Sequence, residues 1–185
     1  MVYFYFDTRD TKKQSCRSLL SSLLTQFSAR SDPFCDILSR LYKAHDNGTR
    51  QPSNKALTQC LKEMLALPGR GPVYLILDAL DECPNEYGFA SQRSQVLDLI
   101  KDLVESRLPD LHLCVTSRLE VDMRASLEPL ASHLVSLHDR SGQKKDIGEY
   151  VRFVVYSNVN SAMRTWREND KELVIKTLSE RADGM

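Results

Sequence analysis

Residues 73–83 read VYLILDALDEC: five apolar residues from Val73 to Leu77, then three carboxylates, Asp78, Asp81 and Glu82, within five positions. An unbroken apolar run of this length, introduced by the breaker LPGRGP at residues 67–72, reads as a buried strand. Carboxylates packed that closely repel one another unless a cation or water relieves them. The end of this strand is therefore either a ligand site or a solvated turn, and the choice turns on what neighbouring elements bring to the same place.

Working outward, Val2–Phe6 is a second run of β-branched and aromatic residues and reads as another buried strand. Leu19, Leu20, Leu23, Leu24 and Phe27 recur at helical spacing. Asp32 as N-cap and Pro33 at the first helical position open a second helix with the stripe Phe34, Ile37, Leu38, Leu41 and Tyr42. Ser53 caps a third, whose inner face is Leu57, Cys60, Leu61, Met64 and Leu65. Past the acidic cluster, Val96, Leu97, Ile100, Leu103 and Val104 mark a fourth helix, and LHLCVT at 111–116 a third strand. HLVSL at 133–137 reads as one more strand. A helix with Ile147, Tyr150, Val151, Val154 and Val155 follows, then one over 161–182 with Trp166, Leu173, Val174, Thr177 and Leu178 facing inward.

Strands alternating with helices predict an α/β fold, a parallel sheet with helices on both faces. Strands that are apolar throughout agree, because such sheets bury both sides. Ligands of these sheets sit beyond the carboxyl ends of the strands, where Asp78, Asp81 and Glu82 lie.

The 185 residues suit one domain, or one domain and part of another. Lys+Arg and Asp+Glu balance at 25 each and are interspersed, so neither nucleic acid nor a membrane surface is an expected partner. No apolar run approaches the ~20 residues of a membrane span, and the N-terminus lacks a signal peptide's basic lead-in. Five scattered cysteines, an odd count with no C-x-x-C pair, read as reduced thiols of a cytoplasmic protein.

An apolar strand running straight into an aspartate is a way to hold Mg²⁺ beside a phosphate, since the strand fixes the carboxylate. Asp78, the first acid past the strand, would take the metal. Asp81 and Glu82, a turn later, would orient or deprotonate a water aimed at a terminal phosphate. The small Ala79 lets the backbone pass close to a nucleotide. Thr116, Ser117 and Arg118 end the next strand on the same rim, and Arg118 could fork onto a phosphate oxygen. Against this, a strand-terminal Asp often only caps a turn, and Arg9 and Asp10 read as an ordinary solvated turn. His112 and Cys114 read as buried strand residues, Tyr3–Phe6 as core packing, and His133 and His138 have no partners at metal spacing. No G-x-S-x-G elbow offers acyl hydrolysis a foothold.

These residues resemble a known family. VYLILDALDEC looks like the extended Walker B segment of NACHT-type STAND P-loop NTPases, and CVTSR at 114–118 is similar to their sensor-1 strand. YFYFDTRDTKKQ (3–14), SLHDRSGQKKDIGEYV (136–151) and LSERADGM (178–185) look closest to fungal NACHT proteins, including ankyrin-repeat and nephrocystin-like receptors. The resemblance implies Asp78 as the Mg²⁺ carboxylate, Asp81 and Glu82 as catalytic acids, and Arg118, with Thr116 and Ser117, as the phosphate-sensing tip. It implies a partial nucleotide-binding core over 1–138 and a truncated helical continuation over 139–185. None of the seven glycines begins the G-x-x-x-x-G-K-[ST] loop that cradles phosphates. In the family that loop's strand lies centrally, beside the sensor-1 strand, so its neighbour here is expected to show unpaired backbone and an uncovered face. The implied protein is a fragment of a signalling switch that uses Mg²⁺ with ATP or GTP when intact and is not catalytic alone. Homo-oligomers or other NACHT chains are its implied partners. The alternative is a non-catalytic interaction module that pairs with such relatives.

Overall fold

The computed structural model describes residues 1–85, 91–118, 120–136, 141–157, 163 and 165–181. The chain is α/β. Three strands, β1 (Val2–Tyr5), β2 (Val73–Asp78) and β3 (Leu111–Val115), form a parallel sheet in the order β1-β2-β3. Helices α1 (Cys16–Ser28), α2 (Asp32–Ala44) and α3 (Asn54–Leu65) separate the first two strands, α4 (Gln92–Glu105) the second pair, and α5 (Val121–Leu127) follows β3. Two compact units result, Met1–Ala131 and Ser132–Met185. The second contains α6 (Ser141–Tyr156) and α7 (Glu168–Arg181), which pack on each other.

Local chemistry sets the helix starts. The hydroxyls of Ser15, Ser53 and Ser91 accept the N–H groups of Ser18, Ala56 and Ser94, each satisfying one orphan donor of a first turn. The N-cap of α2 is Ser31, with Asp32 already in the helix beside Pro33, one residue earlier than its composition implies.

Register decides which side chains share a face. Val2 aligns with Leu75, and Leu75 in turn with Leu113; Phe4 aligns with Leu77, and Leu77 with Val115. This set packs with Leu19, Leu20 and Leu23 of α1, Leu57 and Leu61 of α3, and Val96 and Ile100 of α4 in a single core. The other face carries Tyr3 and Tyr5 of β1, Tyr74 of β2, and His112 and Cys114 of β3, all exposed. The reading of the strands as buried on both sides is therefore corrected, and with it the burial expected of Tyr3, Tyr5, His112 and Cys114. Tyrosines are half polar and tolerate either face, so an aromatic run does not reveal its alternation. On this exposed face Tyr74 stacks on His112 at 4.8 Å and the Lys13 ammonium lies over the Tyr5 ring.

The two sheet edges differ. At β1 the Gln26 amide plugs the edge, donating to Tyr3 O at 2.6 Å and accepting from Tyr3 N at 3.1 Å. At β3 the bonds Val73 N–Asp110 O and Thr116 N–Leu77 O put the even-numbered backbone groups toward β2. Those of Leu111, Leu113 and Val115 point the other way and have no partner among the described residues.

Residues 133–136 are not a strand, and Leu137 and His138 lie outside the described residues. Apolar β-formers without a neighbouring strand cannot satisfy their backbone as β structure. In α7 the buried residue is Ile175; Leu173 and Leu178 are exposed, as is Trp166 before it, contrary to the inward face expected of them. Tyr150 of α6 is likewise exposed, and Val155 is buried. No helix among the described residues is long and apolar enough to cross a membrane.

Candidate functional site

The carboxyl ends of the three strands meet at one rim. Beyond β2 the chain turns sharply at Ala79, whose backbone is left-handed (φ 54°, ψ 47°), into a 3-10 turn over Leu80–Glu82. Leu80 is fully buried and its N–H donates to Thr116 O at 3.0 Å, so the turn is anchored both in the core and on the tip of β3. The left-handed turn explains the small residue at 79 without a ligand. It costs an alanine roughly 1–2 kcal/mol of conformational energy that glycine would not incur. Ala79→Gly is accordingly expected to stabilise the protein by about 1 kcal/mol in urea unfolding, part of the gain being lost to the freer unfolded chain. A destabilised glycine variant would show that the alanine methyl is needed for packing.

Each acid of the cluster has a different partner. Asp78 Oδ1 accepts the Thr116 hydroxyl at 2.5 Å, and that hydroxyl oxygen accepts Ala79 N–H at 3.0 Å. Asp81 is nearly buried: Oδ1 accepts Arg118 N–H at 3.1 Å and Oδ2 lies 3.4 Å from Arg118 Nε. Glu82 Oε2 accepts Thr8 N–H at 3.0 Å, tying the loop to the segment after β1. The crowding suggested by the sequence is thus relieved by distribution, one carboxylate to each of three neighbours. Asp78 Oδ2 and Glu82 Oε1 have no partner among the described residues.

The structure therefore brings Asp78, Asp81, Glu82, Thr116 and Arg118 together. Ser117 is beside them but exposed, its hydroxyl donating to Arg118 O. Arg9 folds back on Asp7 in a two-pronged pair at 3.0 and 3.1 Å, and Asp10 caps the next turn by accepting Lys12 N–H. Hydrogen bonds from the Arg9 side chain and backbone hold the Asp7 carboxyl at about 2, well below its usual value.

Two residues of the rim escaped the sequence reading. Thr8 holds Glu82 across 74 positions and carries no local signal. Arg93 is the one charged side chain buried among the described residues. A signal for it did exist: it occupies the first turn of α4, where a cation opposes the helix dipole, so something other than the helix must hold it there. Burial would lower its pKa, but hydrogen bonds to Glu120 and Asp122 outweigh that and raise it.

No group of three or more His, Cys, Asp or Glu side chains able to hold a metal ion exists among the described residues. One exposed carboxylate with a free oxygen does not make a resident metal site. It does fit Mg²⁺ arriving with phosphates and waters, since that ion takes one or two protein carboxylates and keeps the rest of its shell.

The family model for the N-terminal region of nephrocystin 3 matches residues 1–118, from β1 through Arg118, and so spans all three strands and more than half of the chain. The chain belongs to the nephrocystin 3 N-terminal family. No curated protein and no solved structure matches it. In this nephrocystin-type chain the matched span ends on the arginine that meets Asp81, so β1, β2, β3 and every rim residue named above except Arg93's partners Glu120 and Asp122 fall inside it.

Proposed function

We propose that the rim is the magnesium- and phosphate-facing edge of a NACHT-type P-loop NTPase module, part of a signalling switch that is not catalytic through this chain alone. The observation that carries the reading is the convergence of three strand tips, through Asp78–Thr116, Asp81–Arg118 and Glu82–Thr8. On this reading Asp78, with one oxygen fixed by Thr116, presents the other to Mg²⁺ bound with ATP or GTP. The cation would neutralise phosphate charge. Arg118, whose side chain is 82% exposed, can swing from Asp81 to a phosphate oxygen while its N–H stays on Asp81 Oδ1. Glu82 Oε1, or Asp81 once Arg118 has left, is placed to orient water. The chain holds no G-x-x-x-x-G-K-[ST] loop, so its own residues supply a metal carboxylate and a phosphate sensor without a phosphate cradle.

Calorimetric titration with Mg·ATP tests this. Weak binding is expected, reduced at least about tenfold by Asp78→Asn, the effect of removing one charge-assisted contact. Affinity untouched by that substitution, or no binding at all, would remove the metal assignment.

A second reading, a non-catalytic module that associates with related chains, is favoured by the open backbone of β3 and the bare aromatic face. Both are surfaces that another chain could complete. Sedimentation of the chain alone and mixed with a P-loop-containing relative separates the two readings, since only association predicts a concentration-dependent mass in nucleotide-free buffer.

A further inference from the structure

Besides the bonds of Thr116, two arginines connect the tips of β2 and β3, and Arg118 through Asp81 is the first. The other runs in the opposite direction and is buried. The Arg93 guanidinium, 6% exposed, donates through Nε to Cys83 O at 2.9 Å and through Nη2 to Asp81 O at 2.5 Å. Its Nη1 reaches Glu120 Oε2 at 2.5 Å and Asp122 Oδ2 at 3.2 Å, on the segment after β3. Asn85 donates to the same Asp122 oxygen at 3.1 Å. One side chain from α4 thus grips the backbone on both sides of Glu82 and the carboxylates of the neighbouring tip.

We infer that Arg93 is a positioning residue, a fixed clamp that holds the acidic loop against the β3 tip while the exposed Arg118 guanidinium is free to leave Asp81. The division of labour follows from burial. An exposed guanidinium exchanges partners readily, and Asp81 keeps the Arg118 N–H when it does. The buried Arg93 guanidinium cannot leave without stranding the carbonyl of the fully buried Cys83, and an unsatisfied buried group costs far more than the bond is worth on balance. Only arginine has a planar fork able to serve two carbonyls and two carboxylates at once; lysine has the charge without the geometry. In assigning Arg118 an anion to move to, the inference rests on the nucleotide reading above. The clamp itself does not.

Amide hydrogen exchange on the full chain without nucleotide tests it. The reporters are the N–H groups of Leu80, Glu82, Cys83 and Arg118, all hydrogen-bonded within the two tips. The reference is the set of N–H groups in the middle of α1. Arg93→Met is expected to speed the reporters about tenfold over the reference, the loss of a charged buried contact. Arg93→Lys is expected to leave them as fast as Met does. Arg118→Ala should leave them within about twofold, as an exposed pair would. Should Arg93→Met fail to fold, the double variant Glu120→Ala/Asp122→Ala decides, since both side chains are partly exposed and their removal takes away only the acceptors of Nη1. Reporters and reference speeding together, or wild-type exchange in Arg93→Lys, would reduce Arg93 to an ordinary core residue. Loss of Mg·ATP binding with these results intact would count against the nucleotide reading alone.

Discussion

Replacing Leu80 with alanine is expected to destabilise the protein by about 2–5 kcal/mol, the range for removing a fully buried leucine side chain. Leu80 is 0% exposed, yet it belongs to neither a long helix nor a strand; it is the apolar residue inside an acidic turn. Asp81 and Glu82 follow it directly, so its side chain is what pulls the carboxylates down onto the sheet. The loss should be visible as a lower midpoint in urea with an unchanged slope. Leu80→Met, which keeps volume, should cost under about 1.5 kcal/mol. A loss below 1 kcal/mol for alanine would mean that the turn stands on its hydrogen bonds to Thr116 and not on burial, by the same scale.

The second large effect is on thiol chemistry. All five cysteines are free, and they divide sharply: Cys16, Cys60 and Cys83 are buried, Cys35 and Cys114 exposed. Burial pushes the thiols of Cys16 and Cys60 up to about 11 and that of Cys83 up to about 12, from an ordinary 9.0. At a mildly alkaline pH their thiolate populations are about a hundredfold to a thousandfold below an ordinary thiol's, one decade for each unit of pKa. Closure of the core around them slows reaction further. A maleimide added to the native protein should modify Cys35 and Cys114 promptly and the other three only on unfolding, as read by mass spectrometry of the digest. Cys114 is the informative member, because it stands on the sheet face whose side chains are exposed among the described residues. Its protection in the native chain would show that something covers that face.

How far the sequence carried the fold is clearest in β2. Val73–Leu77 is a strand because consecutive β-forming residues between breakers leave little else for the backbone to do, and the acids after it must then lie at the strand's end. The helices are legible for the same reason: Leu19, Leu20, Leu23 and Leu24 lie at a helical period, and Ser53 stands where a cap is wanted. HLVSL failed because strand propensity has no force without a partner to bond. The inward face of α7 failed because Leu173, Ile175 and Leu178 offer more than one apolar stripe to a single neighbour.

Composition and local periodicity by themselves marked β1, β2 and β3 as apolar strands alternating with amphipathic helices, along with a fourth strand at 133–137 that does not form over 133–136, and put Asp78, Asp81 and Glu82 at the end of β2. Only the tertiary structure decided that Tyr3, Tyr5, Tyr74, His112 and Cys114 of the sheet are exposed, that Thr8, Thr116 and Arg118 each take one of the acids, and that Arg93 is buried among four acceptors. The reason is distance along the chain: Thr8 and Glu82 are separated by 74 residues and Arg93 and Glu120 by 27. Periodicity reaches only across a turn or two. Contacts over such separations exist once register and crossovers have placed the segments side by side, and no local pattern records them.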